Sequence, residues 1–204
     1  MSRRVLMIVS HWPPVPAVGT RRVVRLARHL GQHGWTPVVI VEDPPEGAQA
    51  VPRPLDHSLR APPVEQHRVP GRMPGAWGRK QLVRLVRAVG GDRAAWIAHR
   101  LTKGLALPDH YPEWTPTVLR AARRLEPVDA VWVTGQPYGL FVVGVAVAKA
   151  LGVPCVLDYR DPWSVDIGAD RAPHWPRAAH AALERALLAR ADGVSYVNAD
   201  MRAR

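Results

Sequence analysis

Short apolar runs rich in β-branched residues alternate with stretches of helical periodicity, and this alternation restricts the fold more than any other feature of the sequence. Such runs, bounded by turn residues, are typical of strands buried on both faces of a parallel sheet. The predicted strands are 5–10, 37–41, 130–134, 155–159 and 193–197, and the predicted helices are 21–33, 76–105, 115–125, 138–151 and 176–191. Gly34 is expected to close the first helix and Asn198 to cap a last one. The order predicts an α/β domain of three layers, with a mostly parallel sheet and helices on both faces.

Length and composition fit a single domain. The chain has 204 residues, of which 47% are hydrophobic, so it can bury one core of ordinary size. Its only cysteine, Cys155, excludes an intramolecular disulfide and any zinc site built from several cysteines. Two stretches interrupt the regular order. These are a proline-rich surface excursion at 43–75 and a basic helical insertion at 76–105, with a break at Gly90-Gly91. We therefore expect one domain over 1–204 that carries both additions.

The positive charge is unevenly distributed. The formal net charge is +11, and residues 1–104 hold 17 Lys or Arg against 6 Asp or Glu, whereas residues 105–204 hold 11 of each. A basic region of this kind indicates an anionic partner for one part of the molecule.

The sequence predicts neither a leader nor a membrane span. The apolar run 5–9 is shorter than a signal peptide requires. The near-apolar stretch 139–157 is broken by Gly152-Val153-Pro154, and a span needs about 20 uninterrupted apolar residues. The expected location is the cytoplasm, either free or peripheral on the inner face of the membrane.

Several well-known functional motifs do not occur in the sequence. It contains neither G-x-G-x-x-G nor G-x-x-x-x-G-K-[ST], which argues against dinucleotide and P-loop sites. H-E-x-x-H, G-x-S-x-G and Asp-x-Asp are missing as well. We therefore expect no metal and no organic cofactor, and we expect ligands to be bound by backbone amides, arginines and helix ends.

The loop at 11–22 follows the first predicted strand, where ligands of parallel sheets bind. Gly19 allows close approach of a ligand to the backbone, and Thr20 can cap the helix. With Arg22 nearby, the helix start suits a phosphate or carboxylate. The alternative interpretation is an ordinary proline-rich loop followed by a capped helix.

The segment 158–163 follows the strand at 155–159 and combines acidic, basic and aromatic side chains. Asp158 and Arg160 can form a local ion pair, with Asp161 starting a turn. Alternatively, Arg160, Asp161 and Trp163 form a site for sugar or phosphate at the end of a buried strand.

Three segments together resemble the N-terminal half of the family-4-type glycosyltransferases, which have the GT-B fold. They are the loop at 11–22, the turn Thr134-Gly135-Gln136-Pro137 and the Asp158-x-Arg160-Asp161-Pro162-Trp163 segment. The resemblance implies a Rossmann-like domain that binds the acceptor of a retaining sugar transfer from a nucleotide-sugar, without a metal. In the family, a C-terminal domain binds the nucleotide-sugar. The family's Glu-x7-Glu signature does not occur here, which leaves two alternatives: a fragment, or a stand-alone acceptor module.

The resemblance also implies roles for individual residues. Gly19, Thr20 and Arg22 are expected to face the cleft and to hold phosphate or acceptor. Gln136 and Arg160 are expected to contact sugar hydroxyls or phosphate. The resemblance further implies that Asp161 orients a substrate during catalysis and that Trp163 forms a wall of the pocket. The acceptor is expected to be a glycan or a lipid-linked sugar. The alternative is a non-catalytic binding module with the same fold.

The stretch 72–103 is strongly basic, with eight Lys or Arg residues and a single acidic residue, Asp92. Four of its basic residues, Arg79, Lys80, Arg84 and Arg87, are candidates for contact with an anionic membrane or with a lipid-phosphate acceptor. Trp77 and Trp96 add rings suited to a headgroup layer. A core-packed helix with a solvated basic face is the main alternative, and nothing else in the sequence indicates nucleic-acid binding.

Overall fold

A computed structural model describes residues 2–15, 18–43, 60–71, 73–103, 107–164 and 174–203. Its strands are β1 (Arg3–Val9), β2 (Trp35–Asp43), β3 (Glu65–Pro70), β4 (Ala130–Gly135), β5 (Cys155–Tyr159) and β6 (Gly193–Tyr196). Its helices are α1 (Val18–Leu30), α2 (Pro74–Lys103), α3 (Thr115–Ala122), α4 (Gly139–Leu151), α5 (His174–Leu188) and α6 (Ala199–Ala203), and 3-10 turns cover Gly31–His33 and Tyr111–Trp114. The six strands form one sheet in the order β3-β2-β1-β4-β5-β6, and every pair in it is parallel.

The sheet separates two hydrophobic clusters, which gives the domain its three layers. Along β1, Leu6 and Ile8 belong to one cluster, whereas Val5, Met7 and Val9 belong to the other. This alternation follows from the period of two in a strand, and both faces are apolar because both are covered. The first cluster includes residues of α3 and α4, and the second includes residues of α1. The prediction of a Rossmann-like α/β arrangement is therefore confirmed.

The proline-rich stretch at 43–75 contains a strand that the sequence reading did not predict. Strand β3 pairs in parallel with β2 at the edge of the sheet. Of its residues only Val69 is buried, because an edge strand covered on few sides needs little apolar surface. Its last residue is Pro70, which an edge position tolerates. The central part of the stretch, 44–59, lies outside the described residues.

Several predicted helix ends are found where the sequence placed them. Gly34 follows the 3-10 turn after α1 with φ 75°, the left-handed conformation of a closing glycine. The side chain of Asn198 accepts a hydrogen bond from the amide of Met201 at 3.0 Å and so caps α6. Helix α2 is interrupted at Gly91, whose φ of 71° and ψ of −173° are not helical. The predicted break at Gly90-Gly91 is thus confirmed.

Within the described ranges, no helix combines the length and the apolar character needed to cross a bilayer.

Candidate functional site

The candidate site lies where the connections of the sheet diverge. Strand β1 is flanked by β2 on one side and by β4 on the other, so the chain leaves β1 and β4 in opposite directions. A crevice opens at such a switch point, beside the carboxyl ends of the strands. Three described segments meet this edge of the sheet: 10–15 after β1, 135–138 after β4 and 160–164 after β5.

Asp158 organises the strands beneath the crevice. Its side chain is 1% exposed and accepts hydrogen bonds from Arg22 Nε at 2.9 Å and Arg22 Nη2 at 2.6 Å. It also accepts bonds from the hydroxyls of Thr134 at 2.9 Å and Ser195 at 2.7 Å. The ion partner of Asp158 is therefore Arg22 of α1, and the local pair with Arg160 that the sequence suggested gives way to this one.

Arg160 lies across the start of α1. Its guanidinium donates hydrogen bonds to the carbonyl oxygens of Gly135 and Gln136, which fixes it over the turn after β4. A Cβ atom placed on Gly19 would lie 2.9 Å from Arg160 Cζ, so only glycine leaves room for the guanidinium here. Burial lowers the pKa of Arg160, while Asp161 and Asp158 act in the opposite direction. The side chain remains a cation, because arginine does not lose its proton in proteins.

His11 stands beside this cation at the end of β1. Its Nδ1 atom is 2.7 Å from the Ser10 hydroxyl. Burial lowers the pKa of the His11 imidazole, the charge of Arg160 lowers it further, and Glu42 exerts a weaker opposite effect. The imidazole is therefore neutral at pH 7 and can exchange hydrogen bonds with a ligand hydroxyl.

Two of the predicted contact residues are buried. Thr20 is 0% exposed, and its hydroxyl donates to the carbonyl of Val15 at 3.0 Å, so it closes the loop and does not face the crevice. Trp163 is 1% exposed and stacks on Tyr138, with ring centroids 4.9 Å apart. Its indole donates to His180 Nδ1 at 3.0 Å. Trp163 therefore belongs to the hydrophobic core and does not form the expected wall of a pocket, and Tyr138 is the half-buried ring that covers it.

Gln136 and Asp161 are exposed beside Arg160. The Gln136 amide approaches the Tyr138 hydroxyl at 3.4 Å, and that hydroxyl donates to the backbone carbonyls of Asp161 at 3.0 Å and Pro162 at 2.8 Å. Tyr138 therefore ties the turn after β4 to the loop after β5. Burial raises the pKa of Tyr138 to about 12, so its hydroxyl stays protonated and remains a donor.

The four basic residues predicted for an anionic surface form a separate group on the first half of α2, which follows the edge strand β3. Lys80, Arg84 and Arg87 are exposed, whereas Arg79 is half-buried. Arg79 lines a cleft of about 470 Å³. The cleft is lined by Gly75, Gly78, Arg79, Leu82, Thr102, Leu107, Asp109, His110, Pro112 and Glu113.

The sequence did not predict His11 as a site residue, and it did not predict a second polar group near His11. The Tyr111 hydroxyl donates to Glu42 Oε2 at 2.6 Å, and Asp109 accepts the amide of Gly139 at 2.9 Å. His11 carried a usable signal, since it directly follows a buried strand. The Glu42–Tyr111 bond carried none, because it joins residues 69 positions apart.

A parallel six-stranded sheet with a switch point between β1 and β4 defines a Rossmann-like α/β domain, a class of fold whose ligands bind at the carboxyl ends of the strands. Comparison with protein families is more specific: the family described as Glycosyl transferase 4-like domain matches residues 19–204, almost the whole chain. The chain belongs to this family, and the resemblance stated from its motifs is confirmed. No curated protein sequence matches the chain.

Proposed function

We propose that this domain is the acceptor-binding half of a retaining glycosyltransferase. The enzyme transfers a sugar from a nucleotide-sugar to a glycan or lipid-linked acceptor, without a metal. Membership of the glycosyltransferase family supports the assignment as a transferase. The position of Arg160 at the carboxyl ends of the strands, against the start of α1, supports the assignment of the binding site. One observation carries the proposal: the Arg160 guanidinium lies against the first turn of α1, over Gly19.

The electrostatics of this pair favour an anion. The N-terminus of a helix carries a partial positive charge, and its first amides point out of the helix. A guanidinium at the same place adds a full positive charge, and two like charges so close repel each other. A phosphate or carboxylate bound beside both of them relieves that repulsion and can accept hydrogen bonds from both. We therefore propose that Arg160 and the start of α1 bind the phosphate of an acceptor or donor.

The neighbouring residues supply hydroxyl contacts. Gln136 and Asp161 are exposed beside Arg160, where an amide and a carboxylate can bind sugar hydroxyls. We assign Asp161 the role of orienting the acceptor hydroxyl, and His11 that of a neutral hydrogen-bonding partner beside it. Arg22 acts as a positioning residue, because its guanidinium is engaged by Asp158 below the crevice.

Transfer requires a second reactant, which the proposal places on another α/β domain facing this edge of the sheet. Holding donor and acceptor together in a reactive orientation supplies much of the rate enhancement of such reactions. The proposed setting is the cytoplasmic side of a membrane, with α2 toward the lipid.

Binding of small anions by the 204-residue chain tests the site. Glucose 1-phosphate, inorganic phosphate and nucleotide-sugars are titrated by calorimetry into the wild type, Arg160→Gln and the control Arg120→Gln, which removes an exposed charge from α3. We expect phosphate-bearing ligands to bind the wild type and the control with the same affinity. Their affinity for Arg160→Gln should be lower by a factor of about ten or more. Equal binding by all three proteins contradicts the site.

A transfer assay alongside tests the division of roles. We expect the chain by itself to bind nucleotide-sugars weakly and to transfer no sugar. Tight nucleotide-sugar binding or turnover by this chain contradicts its assignment as the acceptor half. Anion binding at Arg160 without any transfer after the addition of a donor-binding domain favours the alternative, a non-catalytic binding module.

A further inference from the structure

Exposed apolar side chains are concentrated on α2. Among the described residues, eight large hydrophobic side chains are exposed, and six of them lie on this helix. They are Trp77, Leu82, Leu85, Val89, Trp96 and Ile97, with exposed fractions from 45% for Leu82 and Ile97 to 85% for Val89. Single exposed hydrophobic residues are ordinary, but a cluster on one element marks an interaction surface.

The first half of α2 has three distinct sides. The half-buried residues on one side are Arg79, Val83 and Val86. Successive residues of a helix are about 100° apart, so the exposed residues fall on two edges flanking that side. The apolar edge consists of Leu82, Leu85 and Val89, and the basic edge of Lys80, Arg84 and Arg87. Trp77 is 67% exposed and lies between the two edges, on the side opposite to the half-buried residues.

The second half of α2 turns back beside the first. Gly91 interrupts the helix with a positive φ that favours glycine. The cleft described above is lined both by the first turns of α2, at Gly75 and Arg79, and by Thr102 near its end. The two halves therefore form a helix pair with its bend at Gly91.

We infer that this helix pair docks on an anionic lipid bilayer, with the apolar edge and the tryptophans in the boundary between headgroups and acyl chains. The basic edge then lies at the level of the lipid phosphates, which the long side chains of Lys80, Arg84 and Arg87 can reach. Clusters of basic residues beside an apolar surface bind anionic lipids more strongly than either feature alone.

Charge favours lipid over a second copy of the chain. Two copies docked through α2 would bring two strongly basic helices side by side, and like charges close to one another in an interface are unfavourable. The only acidic residue of α2 is Asp92, which is paired with Arg87 at 3.1 Å. Both side chains of that ion pair are highly exposed, so the pair contributes little to the association of the two halves of α2.

The inference deepens the membrane part of the proposed function, yet its test involves no sugar transfer. Lack of vesicle binding would therefore leave the transferase proposal intact, and lack of transfer would leave the docking surface intact.

Flotation of the 204-residue chain with lipid vesicles tests the surface. We expect binding to vesicles of phosphatidylglycerol and phosphatidylcholine in equal parts, and much weaker binding to phosphatidylcholine alone. Substitution of Leu85 and Val89 by Ser should weaken binding at least about tenfold, because these side chains enter the apolar layer. Val197→Ser, which changes an exposed valine outside α2, should leave binding unchanged.

The basic edge is tested by a matched pair of triple variants. Replacing Lys80, Arg84 and Arg87 with Gln should weaken binding about fivefold per charge and remove most of its salt dependence. The control replaces three exposed arginines elsewhere, Arg120, Arg123 and Arg124, and should bind within about twofold of the wild type. Circular dichroism verifies that each variant is folded.

Depth provides a second, independent readout. Lipids brominated in the acyl chains quench tryptophans that reach the apolar layer, and we expect Trp77→Phe with Trp96→Phe to abolish this quenching while flotation persists. Three results overturn the inference: flotation insensitive to both the apolar and the basic substitutions, quenching that survives the double tryptophan replacement, or dimerisation in sedimentation experiments that the apolar substitutions abolish.

Discussion

Arg22 and Asp158 are 136 positions apart in sequence and join through two parallel hydrogen bonds, of 2.9 and 2.6 Å. The pair links α1 to β5, while the same carboxylate accepts hydroxyls from β4 and β6. The hydrogen bond with Asp158 raises the pKa of Arg22, which shows that the pair stabilises the charged form of the guanidinium. The crevice is therefore built on a buried carboxylate.

Removal of Arg22 should destabilise the domain. In Arg22→Gln the buried Asp158 carboxylate keeps two hydroxyl partners but loses its counter-charge, which should cost about 2–4 kcal/mol of unfolding free energy. Asp158→Asn should cost less, because Arg22 is 37% exposed and water can solvate it. Urea unfolding of both variants and of the double variant measures the coupling. Strictly additive effects would show that the pair contributes nothing of its own.

Gly19→Ala should impair anion binding while sparing stability. The new methyl group overlaps the end of the Arg160 side chain, so the guanidinium must leave its Gly135 and Gln136 carbonyl partners while α1 stays in place. Alanine also favours a helix over glycine by about 1 kcal/mol. We expect calorimetric binding of glucose 1-phosphate to fall about tenfold. Gly31→Ala is the matched control, because a Cβ there meets nothing within 4 Å. Unchanged binding by Gly19→Ala would separate Arg160 from the anion site.

His11 should titrate below the ordinary histidine range. Its pKa is lowered by burial and by Arg160, so the neutral form is favoured in the folded state. Its contribution to stability is then complete above the unfolded pKa, about 6.5, and is lost as pH falls from there through the folded pKa. NMR titration of the imidazole should show the pKa rising in Arg160→Gln and staying constant in Lys149→Gln, a charge at the far end of α4. If His11 had the same pKa in the wild type and in Arg160→Gln, the charge of Arg160 would not be a cause of the lowered pKa of His11.

Asp161→Asn should reduce sugar transfer far more than stability. The carboxylate is exposed on a loop and supports no core, so the unfolding free energy should change by less than about 0.5 kcal/mol. In a protein that carries both this domain and a donor-binding domain, turnover should fall about 100-fold, because the acceptor hydroxyl is no longer oriented. Asp200→Asn, also exposed, serves as the control. Wild-type turnover by Asp161→Asn would leave Asp161 as a turn residue.

The sequence predicts the central strands because burial on both faces demands apolar side chains at every position, as in the fully buried Val131 and Val133 of β4. Strand β3 is not predicted for the opposite reason: at the edge of the sheet it buries only Val69, and its first four residues are polar. Residue type also predicts the break at Gly91, since a glycine pair is a local signal.

The site is predicted less completely, because its contacts join distant parts of the chain. The sequence predicts that Arg160 and Gly19 both lie at the carboxyl ends of the strands. Their contact cannot be predicted in this way, because it depends on how α1 packs against the sheet. Thr20 and Trp163 lie in segments that the sequence predicts to be exposed loops, yet Thr20 is in the first turns of α1 and tertiary packing buries both residues. A side chain's chemistry indicates what it can bind, whereas its direction is set by partners that local sequence does not reveal.

The anchoring of Arg160 by the Gly135 and Gln136 carbonyls has a consequence for recognition. A long, freely rotating arginine gives up about 2 kcal/mol of rotamer entropy when a ligand fixes it. Here that loss occurs when the chain folds, so the cation is already immobilised before any anion arrives. Selectivity in this crevice then depends on whether the shape of a ligand brings its anionic group to the fixed Arg160 guanidinium.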